Sequence, residues 1–295
     1  MGDEAVEFVE TSDGRTLAYA QIGDSEGTPV FVLHGTPGSR LSGRHPDPSR
    51  VANAGLRVIT YDRPGNGRSI RHPGRAVVDC VADIAAIADA LGIERFVVTG
   101  ASGGGPHALA AAARMPERVI RAGCNVGAAP YDAPGLDWFE GMDPENVKEF
   151  RWALQGEETL VRELEREADE QLRRLDEDAA ALLGDFQLSD ADQKVLQDQI
   201  VRERMRKSFR EALASGVWGW VDDDLAFIKP WGFEVEEIRV PAQVRYGAGD
   251  VLVPAGHGEW LARHVPNADV IVDHQAGHLS TPDQHLERLR SLVAG

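Results

Sequence analysis

The sequence predicts an α/β protein: a mostly parallel sheet with helices on both faces, interrupted by a helical insertion. Three observations lead there. Up to about residue 130, short β-branched runs alternate with helix-forming stretches of roughly 10–16 residues, the pattern of successive strand–helix–strand units. The same alternation resumes near residue 238 and continues to the last helix. Residues 131–234 show little strand signal and several helical charge patterns. The expected division is therefore an α/β core from residues 1–130 and 235–295, with residues 131–234 as a helical cap, or lid. A hydrophobic content of 42% over 295 residues is ample for one large core.

Residues 6–10 and 16–22 read as two strands around a turn at Ser12-Asp13-Gly14. Residues 30–33 form a short apolar strand running into His34-Gly35, and residues 40–54 read as a helix. Residues 56–61 (LRVITY) are a buried strand that ends at Asp62-Arg63-Pro64-Gly65. Residues 76–91 carry apolar side chains at helical spacing. The β-branched run 95–99 leads through Gly100-Ala101-Ser102-Gly103-Gly104 into the alanine-rich helix 106–114, and 119–124 is the next strand. In the insertion, Asp143-Pro144 reads as an N-cap with proline at N1, and residues 157–175 and 190–214 read as two helices. Strands at 242–246 and 268–272 and helices at 255–264 and 281–293 complete the chain.

The chemistry lies in the turns. Gly100-Ala101-Ser102-Gly103-Gly104 is G-x-S-x-G between a strand and a helix, the setting of a nucleophile elbow. The turn is tight, so glycines on either side of the serine remove the bulk it cannot hold. A serine hydroxyl needs a base to take its proton and an acid to orient that base. Downstream, Gly247-Ala248-Gly249-Asp250 places a carboxylate just past a strand, and Gly277-His278 places a histidine just past the last strand. All three then sit at the carboxyl edge of the sheet, where open α/β sheets bind ligands. An oxyanion needs donors: Gly103 N–H follows the serine, and Thr36 N–H lies in the loop after the third strand.

With these residues in place the chain resembles the α/β-hydrolase superfamily in its lid-bearing branch. The likeness rests on HGTPGS at 34–39, DRPGNGRS at 62–69, GASGGG at 100–105, GAGD at 247–250 and GH at 277–278. It implies Ser102 as nucleophile, His278 as base, Asp250 as orienting acid, and Thr36 and Gly103 as the oxyanion hole. It also implies a serine hydrolase, most simply a carboxylesterase acting on a small to medium ester with apolar parts. Relatives that use aspartate at the elbow, the haloalkane dehalogenases and epoxide hydrolases, are disfavoured by Ser102. A prolyl-type aminopeptidase, a C–C bond hydrolase and a cofactor-free perhydrolase or haloperoxidase are the enzymatic alternatives. A ligand receptor with a retained triad is the alternative of another class.

Other features narrow the partners to a small-molecule substrate. A net charge of −17 argues against nucleic acid and anionic membrane. No apolar run approaches a membrane span, and Met1-Gly2-Asp3-Glu4 is no secretory signal, so a cytoplasmic protein is expected. Cys80 and Cys124 are expected to be buried thiols, and no metal motif or cofactor is expected. His34 is read as a brace of the oxyanion loop, His107 as structural, and Arg63 as a partner for a loop carboxylate. The acidic helices of the insertion are read as a solvated face. Among its tryptophans, Trp218 and Trp220, just ahead of Asp222-Asp223-Asp224, are the candidate substrate contacts.

Overall fold

The computed structural model describes residues 6–177 and 183–295. Eight strands form one sheet: β1 (Glu7–Glu10), β2 (Thr16–Gly23), β3 (Thr28–Leu33), β4 (Leu56–Tyr61), β5 (Phe96–Ala101), β6 (Val119–Asn125), β7 (Ala242–Gly247) and β8 (Asp269–Asp273). Their order is β1-β2-β4-β3-β5-β6-β7-β8. β2 is antiparallel to both of its neighbours, and the remaining pairs are parallel. The central strands are apolar on both faces because both are covered. The period of two is visible in the packing. Val30, Val32, Val58 and Val97 face one core, while Phe31, Leu33, Ile59 and Val98 face the other. The first core is closed by Val51 of helix α1 (Pro48–Asn53) and by Leu286, Leu289 and Leu292 of the last helix (Pro282–Ala294). The second is covered by α2 (Cys80–Ala90) and α3 (Gly104–Arg114).

Between β6 and β7 lie α4 (Pro144–Gln155), α5 (Glu157–Glu177), α6 (Asp190–Val195), α7 (Gln199–Ala212) and α8 (Trp218–Phe227); α9 (Ala255–His264) and α10 (Pro282–Ala294) follow in the core. The insert helices have an apolar centre of their own. Leu160, Leu164 and Ala168, one turn apart along α5, meet Phe209 of α7 and Trp220, Val221 and Leu225 of α8.

Two expected helices differ. Residues 40–54 yield only the short α1. Pro46 and Pro48 forbid an earlier start, and the Asp47 carboxylate caps Ser49 N at 2.9 Å. Upstream, Arg40 is drawn into the interior by Asp62, whose carboxylate accepts from Arg40 N and Nη1, each at 2.6 Å. Residues 190–214 form two helices, because Asp198 caps a new one through Ile200 N at 2.8 Å. The Asp143 N-cap and Pro144 are as expected. Helix α8 is an addition; with nine of its ten residues buried, it has no amphipathic stripe to mark it. Cys80 and Cys124 are buried thiols, and burial pushes Cys124 up to about 12. No described helix is long and apolar enough to cross a membrane.

The strand–helix junction at β5 tolerates no side chain. A Cβ at Gly100 would lie 2.0 Å from Gly104 O, and one at Gly104 would lie 2.3 Å from Leu33 O, both backbone atoms. Gly100→Ala is therefore expected to cost roughly 1–3 kcal/mol, the usual price of overpacking, measured by urea denaturation. A wild-type unfolding midpoint would show that β5 and α3 can separate freely.

Candidate active site

Ser102 sits on the turn between β5 and α3 with φ at 54°, a left-handed conformation that a non-glycine residue adopts only at a cost. The turn is held from both sides: Ser102 N donates to Asn125 O at 3.0 Å, and Gly105 N donates to Ser102 O at 2.9 Å. Asp250 lies on the loop after β7 and His278 on the loop after β8. Asp250 Oδ2 stands 2.8 Å from His278 Nδ1, while its Oδ1 accepts from Leu252 N and Val253 N, both at 2.9 Å. A carboxylate acceptor makes Nδ1 the donor and leaves Nε2 free to accept a proton. Burial of the imidazole works against its charge, but the Asp250 charge and hydrogen bond outweigh it, and the His278 pKa is raised. Ser102, His278 and Thr36 line one cavity of about 340 Å³, whose walls include Val126, Met205, Phe209, Trp220 and Leu252.

Thr36 and Gly103 face each other at the same place: a Cβ on Gly103 would lie 2.4 Å from Thr36 Oγ1. The Thr36 hydroxyl is committed elsewhere. It donates to Asp223 Oδ2 at 2.7 Å and accepts from Arg63 Nη2 at 3.0 Å. Thr36 therefore offers the cavity its main chain. Asp223, on α8, also takes Arg63 in a two-pronged pair (Nε 3.1 Å, Nη2 2.6 Å) and Arg75 Nη2 at 2.6 Å. Burial opposes its charge, yet Arg63 and Arg75 hold its carboxyl well below the usual carboxylate range. Arg63 in turn donates to His34 O and to Gly35 O, so one guanidinium ties the loop at Thr36 to the insert. His34 accepts from Arg63 N at Nε2 (3.1 Å) and meets Gly35 O at Nδ1 (2.7 Å), which fixes it as the neutral Nδ1–H form. Burial, with Arg63 adding to it, holds its pKa well below the usual value. His107 is buried beneath the turn, with Nδ1 on Gly103 O at 2.8 Å, and burial lowers its pKa to about 3.

Of the two candidate substrate contacts, only Trp220 lines the cavity. Trp218 lies beneath Arg71, 4.0 Å from the guanidinium carbon, and Arg71 pairs with Asp222. Arg63 finds its carboxylate on a helix of the insert rather than on a loop. Three groups at the site carried no sequence signal of their own. Asp192, fully buried on α6, accepts from His278 N (3.0 Å) and Leu279 N (2.7 Å). Glu149 and Asp224 lie close together on a smaller pocket that also touches Ser102. Trp220 Nε1 donates to Glu149 Oε1 at 2.9 Å. Among the described residues no group of three or more His, Cys, Asp or Glu side chains could hold a metal ion.

The model of the alpha/beta hydrolase fold family matches residues 28–283, and the chain belongs to that family. It is 39% identical over 112 residues to a proline iminopeptidase of Xylella fastidiosa, an alignment covering 36% of this chain and 34% of that one. The chain thus spans about a third of the length of that relative. It is 29% identical over 269 residues to a 2-hydroxy-6-oxononadienedioate/2-hydroxy-6-oxononatrienedioate hydrolase of Burkholderia vietnamiensis, covering 90% of this chain and 85% of that one. The crystal structure of a hydrolase from Pseudomonas aeruginosa superposes with a TM-score of 0.71 at 22% identity over the whole of both chains, a likeness of fold.

The Glu149–Asp224 pair makes stability depend on pH. Burial raises the pKa of both carboxyls, that of Glu149 from 4.5 to about 7. Between those two values the folded chain holds a proton that the unfolded chain releases, so stability falls as pH rises through this window. Glu149→Gln removes one titrating member. It is expected to be more stable than wild type at pH 8 and no more stable at pH 4.5, with a shallower decline between, read from thermal unfolding across that range.

Proposed function

We propose that this family member is a serine hydrolase, a carboxylesterase that cleaves small to medium, partly apolar esters through an acyl-enzyme. The observation that carries this reading is the 2.8 Å Asp250–His278 pair, whose imidazole lines the cavity that Ser102 enters from its strained turn. In the proposed mechanism His278 Nε2 takes the Ser102 Oγ proton as Oγ bonds to the ester carbonyl carbon. Asp250 stabilises the imidazolium that forms. The carbonyl oxygen becomes an oxyanion held by Thr36 and Gly103 N–H groups; losing one such donor typically costs roughly 2.7–4 kcal/mol. The intermediate collapses, the C–O bond to the alcohol breaks, and His278 gives its proton to the departing alkoxide. Water then repeats the sequence on the acyl-enzyme, with His278 again as base, and frees the acid. The insert acts as a cap, and its Met205, Phe209 and Trp220 provide the apolar surface for the acyl or alcohol group.

A second reading, a prolyl-type aminopeptidase, draws on the Glu149 and Asp224 carboxyls beside Ser102, which suit a protonated amine on the acyl group. The partial likeness to a proline iminopeptidase supports it as well. An ester panel run beside proline p-nitroanilide separates the two: the esterase turns over acyl esters without an amine, whereas the aminopeptidase requires one.

Hydrolysis of p-nitrophenyl butyrate is expected to fall on the order of 10⁴-fold or more in Ser102→Ala, and a fluorophosphonate probe should label the wild type at Ser102 alone. Because His278 must be neutral to act and its pKa is raised, kcat/KM should decline on acidification at a pH above the ordinary imidazole value. Tight ester binding without turnover, or a folded wild type that resists the probe, would remove the serine-hydrolase reading.

A further inference from the structure

We infer that Asp192, carried by α6 of the insert, is a positioning residue for His278, fixing the backbone of the loop that presents the imidazole. The inference rests on the reading of His278 as the base for Ser102. Residues 274–281 join β8 to α10 without regular structure, so the loop cannot hold its histidine through a sheet or helix ladder. Its two consecutive N–H groups at residues 278 and 279 are instead taken by the two oxygens of one carboxylate, at 3.0 and 2.7 Å. Holding two successive peptide planes fixes the direction in which the His278 side chain leaves the backbone. Asp250 then fixes the ring through Nδ1. The imidazole is thus held at its root from the insert and at its tip from the core.

Three details set this apart from ordinary helix capping. Asp192 occupies the third position of α6 after the N-cap Ser189, where a capping-box acid would reach back to the N-cap N–H. Its carboxylate instead points away from its own helix to residues 278 and 279, and Ser189 Oγ braces it by donating to Oδ2 at 2.9 Å. Asp192 is 0% exposed, so this is no rim contact. Finally, the loop has made room for it: a Cβ on Gly277 would fall 2.0 Å from Asp192 Oδ2 and 2.4 Å from Ser189 Oγ.

The same carboxylate acts on the ring's charge. The charged groups that face His278 are Asp250 from the loop after β7, Asp192 from α6 and Arg288 from α10. The two acids favour the imidazolium and Arg288 opposes it. An acid that served only to hold the insert down would leave the acid limb of the rate profile where it was. One that faces the base moves it.

The test compares wild type with Asp192→Asn, using two readouts: kcat and KM for p-nitrophenyl butyrate across pH, and the rate of phosphonylation by a fluorophosphonate. The asparagine keeps the size but loses the charge and one of the two acceptors. Expected are a kcat lower by roughly ten- to a hundredfold with KM little changed, phosphonylation slowed by a similar factor, and an acid limb moved to lower pH. A folded Asp192→Asn with wild-type kcat and acid limb overturns the inference. A wild type that the probe does not label overturns the reading of Ser102 and His278 instead, so the two failures are distinct. Should Asp192→Asn not fold, Ser189→Ala keeps the Asp192 carboxylate and removes the hydroxyl that braces it and caps α6 through Asp192 N at 3.3 Å. It is then expected to lower kcat to a smaller extent with no movement of the acid limb, and a wild-type kcat in that variant overturns the inference.

Discussion

The carboxylate of Asp223 is the point on which the rest of the site depends. It lies wholly out of water and takes four donors: two from Arg63, one from Arg75 and the Thr36 hydroxyl. A buried ion is expensive, and removing one partner of such a set leaves an uncompensated charge that typically costs about 3–5 kcal/mol. The four side chains are therefore obliged to meet. Arg63 follows β4, Thr36 follows β3, and Asp223 is on α8. Their meeting brings the loop beside Ser102, the turn after β4 and the insert to one place. The loop at Thr36 takes its shape from that charge set as much as from its own sequence.

Helix α8 shows how little residue type says about role. Asp222, Asp223 and Asp224 are consecutive and all buried, and a helix turns each by about 100° from the last. Asp222 meets Arg71 at the outer side, Asp223 meets Arg63 and Arg75 beneath, and Asp224 lies against the Glu149 carboxyl in the smaller pocket beside Ser102. The first two carry their charge against a guanidinium. The third has its pKa raised, because burial and the neighbouring acids Glu149 and Asp223 disfavour a second charge. In the sequence the three are one acidic run.

This sets what could be read in the chain. Ser102, Asp250 and His278 were legible because each belongs to a local pattern: glycines around a serine at a strand–helix turn, and an acid and a histidine just past strands. Such patterns need no knowledge of distant partners, and the strand order places all three at one sheet edge. Arg63–Asp223 spans 160 residues, and Asp192–His278 spans 86. Nothing within a few residues of Asp192 separates it from the solvated acids of α5. Trp218 failed as a pocket residue for a related reason, since its place was taken by Arg71, 147 positions away in the numbering. The helix expected over residues 40–54 failed because the Asp62 carboxylate competes for Arg40 and two prolines limit what remains.

The two long-range carboxylates also change how the insert relates to chemistry. Asp223 fixes the loop at Thr36 and Asp192 fixes the loop at His278, and both come from helices between β6 and β7. The core carries Ser102, His278 and Asp250, and the insert anchors two of the loops that line the same cavity. Trp220 of the cavity wall shares α8 with Asp223, and Met205 and Phe209 come from the adjoining α7. Pocket shape and loop geometry are therefore coupled through shared helices. A substitution that repacks α8 to reshape the cavity also moves the frame on which Asp223 stands. Change in the cavity is freest where a wall residue has no such link. Val126 and Leu252 do not meet that condition: Val126 follows Asn125, whose carbonyl accepts from Ser102 N, and Leu252 N donates to Asp250 Oδ1.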